Sequence, residues 1–310
     1  MSLDLDALSN YVKENEQQLT AQAIFSGKTA SLIEAKGNVQ VGIKSSETIN
    51  IMTTDAVFQT GGTCGFTPSG TTTITQRPLV VGKIKVQEAI CPKDFEAKYT
   101  QKALRQGSTY DYMVYATEYS KQKTDRIAAA LETALWNGDI SGGNSQLNKF
   151  DGILKQLADG GVPNNTFDFT DPIGAVDYVY NNLNPAILDR DDLVIFCGSD
   201  FFRSYTTALR QQNLYHYPVD SMGMELIVPG TNVKLIGVNG LNGNSWYSDV
   251  PVIVGISMAN LYLGTDLLNE QEKFELFFAK EADEMRFVVE FKMGVQVAFP
   301  AEAYVLVSNI

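Results

Sequence analysis

The residues that could do chemistry are few and scattered. His216 is the only histidine and stands between Tyr215 and Tyr217. No multi-histidine metal site can therefore form within one chain, and His216 reads as a structural or surface residue. Cys64, Cys91 and Cys197 lie far apart, with no Cys-x-x-Cys pair among them. A thiolate zinc site is excluded, and an odd set of distant cysteines fits a reducing compartment. Gly27-Lys28-Thr29 has the ending of a phosphate-binding loop. The glycine required five residues earlier is Gln22, and no strand leads into it, so the backbone cradle is missing. Gly61, Gly62 and Gly65 form no dinucleotide fingerprint, because no helix follows to present its amides. Ser199 lies between a strand and a helix, as a nucleophile elbow does, yet Phe196 stands where the first glycine belongs; a helix cap is its expected role. Two acidic groups remain, Asp189/Asp191/Asp192 and Glu281/Asp283/Glu284. Either could hold a divalent cation or do acid–base work, although such turns are ordinarily solvated loops.

Nothing here compels an enzyme, and the composition points the same way. The 310 residues carry 36 acidic and 24 basic side chains, a net charge of −12. Binding nucleic acid through a broad basic surface is disfavoured at this charge. The charge is also uneven: net −2 over residues 1–50, +2 over 51–150 and −12 over 151–310. Such a split marks surfaces with different neighbours, or serves solubility alone. With 44% hydrophobic residues the chain can bury large cores without disulfides. The amino terminus is acidic and lacks the order of a signal peptide, and no apolar run approaches the roughly 18 residues of a membrane span. The chain reads as soluble and intracellular at synthesis.

The elements that would position any site are more telling. Leu5, Leu8, Val12 and Leu19 mark a leading helix over about residues 3–23, with an apolar stripe too thin for a core on both sides. Residues 24–48 read as extended and poorly self-sufficient. A long β-hairpin follows, running out through Ile49, Ile51 and Thr53 and back through Val80, Ile84, Val86 and Glu88. Its tip, rich in glycine and threonine, is far longer than the usual two to five residues or so. Such a hairpin projects and needs a partner surface.

After a short helix marked by Phe95, Tyr99 and Leu104, a long one is predicted from about Asp111 to Trp136. Asn137-Gly138-Asp139 ends it. The middle of the chain alternates helix and strand. Asp171-Pro172 opens one helix, Leu193–Cys197 forms an apolar strand, and Ser199 or Asp200 caps the next helix. Strands recur at Val233–Val238 and Val252–Ile256. From Met285 to Phe299 every odd position is apolar, which identifies β-structure with one buried face. Gly294 is expected to break this run into a hairpin, Pro300 to close it, and Ala303–Val307 to add a strand.

A thin-striped arm, a projecting hairpin and an extended terminal sheet all make sense if neighbouring copies supply the missing contacts. In this order the parts resemble the tailed-bacteriophage major capsid proteins of the Hong Kong 97-type fold. The stretches Cys91-Pro92-Lys93-Asp94-Phe95-Glu96, Tyr99-Thr100-Gln101-Lys102, Gly107-Ser108 and Leu135-Trp136-Asn137-Gly138-Asp139 are similar to phage capsid sequences as well.

The resemblance implies an α+β fold with an N-terminal arm (1–50) and an extended β-hairpin loop (51–91). A peripheral domain with its spine helix (92–151), an axial α/β domain (152–264) and peripheral-domain strands (265–310) would follow. It implies a structural protein with no catalytic, cofactor or metal site, self-assembling through hexamers and pentamers into an icosahedral shell around double-stranded DNA. That DNA would be enclosed without sequence-specific binding. A separate scaffold, a portal and decoration proteins are the implied partners, with no membrane, assembly in the host cytoplasm and a final place in the virion. The expected contacts are Val57, Phe58 and Phe66 on the hairpin, hinged by Gly61, Gly62, Gly65 and Gly70, and Leu5, Leu8 and Val12 on the arm. Two alternatives stand beside this: an encapsulin-type compartment of the same fold, and a carboxylate-dependent hydrolase using Asp191 or Asp283.

Overall fold

The computed structural model describes residues 16–59, 61, 65–66, 68–90, 112–212, 223–242, 250–266, 273–279, 281–282 and 284–309. His216, Cys64, Cys91, Asp283, Gly62, the Phe95–Leu104 helix and the arm residues Leu5, Leu8 and Val12 lie outside them.

The predicted alternation from Met285 onward becomes one strand, β12 (Glu284–Val297), which organises the first sheet. It pairs antiparallel with β4 (Gly82–Ile90), β11 (Lys273–Ala279) and β10 (Leu261–Thr265), and β10 pairs parallel with β1 (Val39–Val41). Gly294 does not break it. It sits in register with Gly264 of β10, and a side chain there would meet the carbonyl oxygen of Val80 at 2.1 Å. The glycine is needed so that another segment can cross the strand, not to turn it. Met285, Phe287, Val289, Phe291, Met293, Val295 and Val297 are all buried, as the period of two requires.

The long helix is present as α3 (Tyr112–Asn137). Its 26 residues at about 1.5 Å each span roughly 39 Å. Ile127, Leu131, Leu135 and Trp136 are buried in a core shared with β12 and with one face of a second sheet. Trp136 meets Phe196 edge-on at 5.1 Å, and Tyr119 meets Phe287 at 5.7 Å. Gly138 ends the helix for a reason of space, since a Cβ there would lie 2.4 Å from the Phe150 carbonyl oxygen.

The second sheet has the order β5 (Asn164–Phe167), β13 (Tyr304–Ser308), β9 (Val252–Ser257), β6 (Leu193–Gly198), β8 (Lys234–Val238), β7 (Glu225–Ile227). A short helix, α4 (Ile153–Asp159), precedes it on the core side. On its other face, α5 (Pro172–Asn182), the single turn α6 (Pro185–Leu188) and α7 (Ser199–Gln211) close a second core. Asp171 caps α5 as expected, accepting from the Gly174 N–H at 3.1 Å. The cap of α7 differs. Ser199 is already inside the helix and donates to Asn239 Oδ1, while Asn242 Oδ1 accepts from the Asp200 amide. A side chain distant in sequence does the work assigned to a local one.

Three further expectations are corrected. Residues 24–48 are not simply extended: α1 (Glu16–Phe25) and α2 (Lys28–Lys36) place Ala23, Ile24, Ala30 and Ile33 in the main core. The return strand of the hairpin is not the Val80–Glu88 run. It is β3 (Thr72–Val80), which takes in the threonine run and pairs with β2 (Ser46–Thr54), while Ile84, Val86 and Glu88 belong to β4. Finally, β13 joins the second sheet rather than returning to the first, and β10 belongs to the first. A division of the chain after residue 264 therefore does not follow the sheets.

Candidate assembly surface

The hairpin β2–β3 is a two-stranded sheet of its own. Its root is held firmly. Ile49, Ile51, Leu79 and Val81 form a small core with Ile43 and Ala298. Leu79 lies against Gly264, where an added Cβ would come within 2.9 Å of it. The chain then passes Val80 over Gly294 and Gly82 over the Lys149 carbonyl oxygen, 1.9 Å from where a Cβ would stand. Backbone-to-backbone approaches this close leave no room for any side chain.

Beyond that root the ribbon is uncovered. Every described residue from Met52 to Gln76 is exposed. In this span of 25 residues Asp55 is the only charged side chain. Phe58 is 99% exposed, Phe66 92%, Ile74 67%, Met52 64% and Val57 53%. Met52 and Ile74 stand directly opposite each other, so they share one face of the ribbon. Asp55 ties the strand ends: its Oδ1 accepts from the Thr71 N–H at 2.6 Å, and its own N–H donates to the Thr71 carbonyl oxygen at 3.2 Å. The loop therefore begins from a fixed base. Gly65, at φ 142°, adopts a conformation that glycine alone takes readily. Sequence reasoning named Val57, Phe58 and Phe66 and missed Met52 and Ile74, because it placed the return strand too late.

The arm helices present the opposite case. α1 and α2 pack on α3, through apolar side chains of the main core and through a polar tie. Glu132 of α3 is buried, and its Oε2 accepts from the Thr29 N–H at 3.1 Å. The Thr29 hydroxyl also donates to Glu132 and accepts from Trp136 Nε1 at 3.0 Å. Burial pushes the Glu132 carboxyl up from its ordinary value, more than the Thr29 and Trp136 contacts and the Lys28 charge pull it down. Gly27-Lys28-Thr29 thus does present a helix amide, that of Thr29, to an acidic group, but the group is the chain's own Glu132 carboxyl.

Two of the other candidate carboxylates, Asp192 and Glu284, have structural partners. Asp192 Oδ2 accepts from Ser257 Oγ and the Ala259 N–H and lies 3.4 Å from Lys36 Nζ. Burial raises its pKa, and these partners outweigh that and leave it lowered. Asp189 ends α6, and Glu284 pairs with Arg286 at 2.7 Å. Among the described residues no three His, Cys, Asp or Glu side chains gather as a metal ion would need, and no helix is long and apolar enough to cross a membrane. Cys197 is buried, and desolvation pushes its thiol well up. Glu88 of β4 takes hydrogen bonds from Tyr119 Oη at 2.8 Å and from Lys123, fastening the spine to the first sheet.

No protein-family model matches the sequence, and no curated protein does. Solved structures do. The chain is similar to the satellite phage P4 procapsid with its size determination (Sid) protein, at TM-score 0.58 and 14% identity, covering 94% of this chain and 90% of that one. It is similar to the capsid of an empty GTA particle at TM-score 0.57 and 12% identity, over 91% of both chains. A Microbacterium phage, Oxtober96, gives TM-score 0.57 and 14% identity, again over 91% of both. The fold is that of the tailed-phage major capsid proteins. At these identities the likeness is one of architecture, and it spans the capsid fold from end to end. It extends over more than nine tenths of this chain rather than one shared motif.

Proposed function

We propose that this protein is the subunit of an icosahedral phage head, built of hexamers and pentamers around double-stranded DNA. The observation that carries the reading is the ribbon. A stretch with five large apolar side chains exposed and one charge is a poor surface for a lone molecule in water. Laid over a neighbouring copy, it would bury apolar area worth about 25 cal/mol per Å². Many such contacts, each weak, sum to a stable shell. In this reading residues 1–50 are the arm and the ribbon is the extended loop. The first sheet with its spine helix is the peripheral domain, and the second sheet is the axial domain at the capsomer centre. Gly61, Gly62, Gly65 and Gly70 would let the loop tip differ between hexamer and pentamer positions.

The acidic excess after residue 150 would face the lumen or the outside, so that packed DNA is not held by the wall, while basic groups of residues 51–150 would serve subunit contacts. A separate scaffold, a portal and decoration proteins complete the assembly, which would form in the host cytoplasm. Electron microscopy of the expressed protein tests the reading. Closed, faceted shells are expected. A protein that stays monomeric at every concentration would contradict it, and shells filled with protein cargo and no DNA would favour the encapsulin-type compartment instead.

A further inference from the structure

The contact of α1 and α2 with α3 combines apolar packing with one ionisable group. Glu132 is buried, and its carboxyl accepts from the amide and hydroxyl of Thr29. Both belong to α2, so this carboxyl joins two elements 103 residues apart. The space beside it is tight: a side chain at Gly27 would come within 3.0 Å of Oε2. Among the described residues Lys28 is the charged group that bears on it. Lys28 is itself engaged, donating to the Met224 carbonyl oxygen at 3.1 Å and lying 3.6 Å from Glu225. The turn at Asn239–Leu241 offers backbone, and Trp136 offers an indole N–H directed at Thr29.

We propose that Glu132 is a proton-sensitive latch that sets how firmly α1 and α2 are held on the spine helix, tight when its carboxyl is protonated and looser once it is ionised. An ionised carboxylate makes the stronger hydrogen bonds to Thr29, but its lost hydration outweighs them in this buried site. The docked carboxyl therefore holds its proton more tightly than an undocked, solvated one. Docking is strongest below the ordinary carboxylate range and weakens as pH rises through the raised value. The device works within one chain and stands whether or not the protein builds shells.

Amide hydrogen exchange on the full chain tests it, followed over Leu19–Lys36 from mildly acidic to mildly alkaline pH and corrected for the intrinsic pH dependence of exchange. Protection in the native protein is expected to fall severalfold as pH rises. Glu132→Gln, which keeps an acceptor for the Thr29 amide and cannot ionise, should show none of that fall. Lys28→Gln removes the charge that favours ionisation, so the loss of protection should move to higher pH. A native protein without the fall, or a Glu132→Gln variant that keeps it, would overturn the latch. If Glu132→Gln fails to fold, an unchanged midpoint in Lys28→Gln overturns it equally.

Discussion

The arm helices and the outer hairpin make the same impression in sequence and opposite ones in space. Both are segments whose apolar content is too thin to fold alone. α1 and α2 find their cover within the chain, with Ala23, Ile24, Ala30 and Ile33 in the main core and Thr29 fastened to Glu132. The ribbon finds cover at its root only, and from Met52 to Gln76 its described residues remain exposed. The difference lies in what each segment offers a neighbour. The helices present small and branched side chains at helical spacing to a groove beside the spine. The ribbon is two strands wide, has apolar groups on both faces, and crosses its own body only at its root, where Val80 passes over Gly294.

That crossing gives the sharpest way to break the comparison. Gly294→Val would set a branched side chain against the Val80 carbonyl, 2.1 Å from where its Cβ must stand. A loss of at least about 3 kcal/mol in chemical unfolding is expected, or failure to fold. A well-folded variant would mean that the ribbon does not pass here. Ile51→Ala removes a buried root residue and should cost about 2–4 kcal/mol by the same measurement.

On the arm side, Glu132→Ala leaves the Thr29 amide and hydroxyl without their acceptor. A cost of about 1–3 kcal/mol is expected, felt locally as faster exchange over α2. Its pH sign is distinctive: the native carboxyl has a raised pKa, so Ala and native should differ most at acid pH and least at alkaline pH. The smallest effect is expected at the ribbon's outer end. Phe58→Ala and Phe66→Ala should change the unfolding free energy of the lone subunit by no more than about 0.5 kcal/mol, because these rings touch little. The same variants, and deletion of residues 61–75, should impair shell formation seen by electron microscopy. Closed shells from the deletion would remove the hairpin from the account.

The parts of this fold that were legible in sequence are those fixed by local periodicity. The spine helix, the strand at Leu193–Cys197, the Asp171 cap and the β12 alternation each follow from spacing a short window can hold. What was missed depends on contacts across the chain. Gly294 looks like a turn residue until Val80 is seen to lie over it. Ser199 looks like a cap until Asn242 is seen to supply one. Residues 24–48 read as extended because the helix they pack on, with Glu132 opposite Thr29, comes about a hundred positions later. The outer contacts divide similarly: Phe58 and Phe66 stand out in a glycine-rich stretch, whereas Met52 and Ile74 are marked only by the register that sets them face to face. A buried glutamate such as Glu132 carries no local signal at all.

The central claim is that the ribbon is covered by neighbouring copies and the arm helices by their own chain. Hydrogen exchange compared between the lone subunit and assembled particles tests it most directly. The account predicts that described segments between Met52 and Gln76 gain strong protection on assembly, while α1 and α2 are already protected in the lone subunit and change little. Exchange at the ribbon that stays as fast in particles as in free subunits would contradict it.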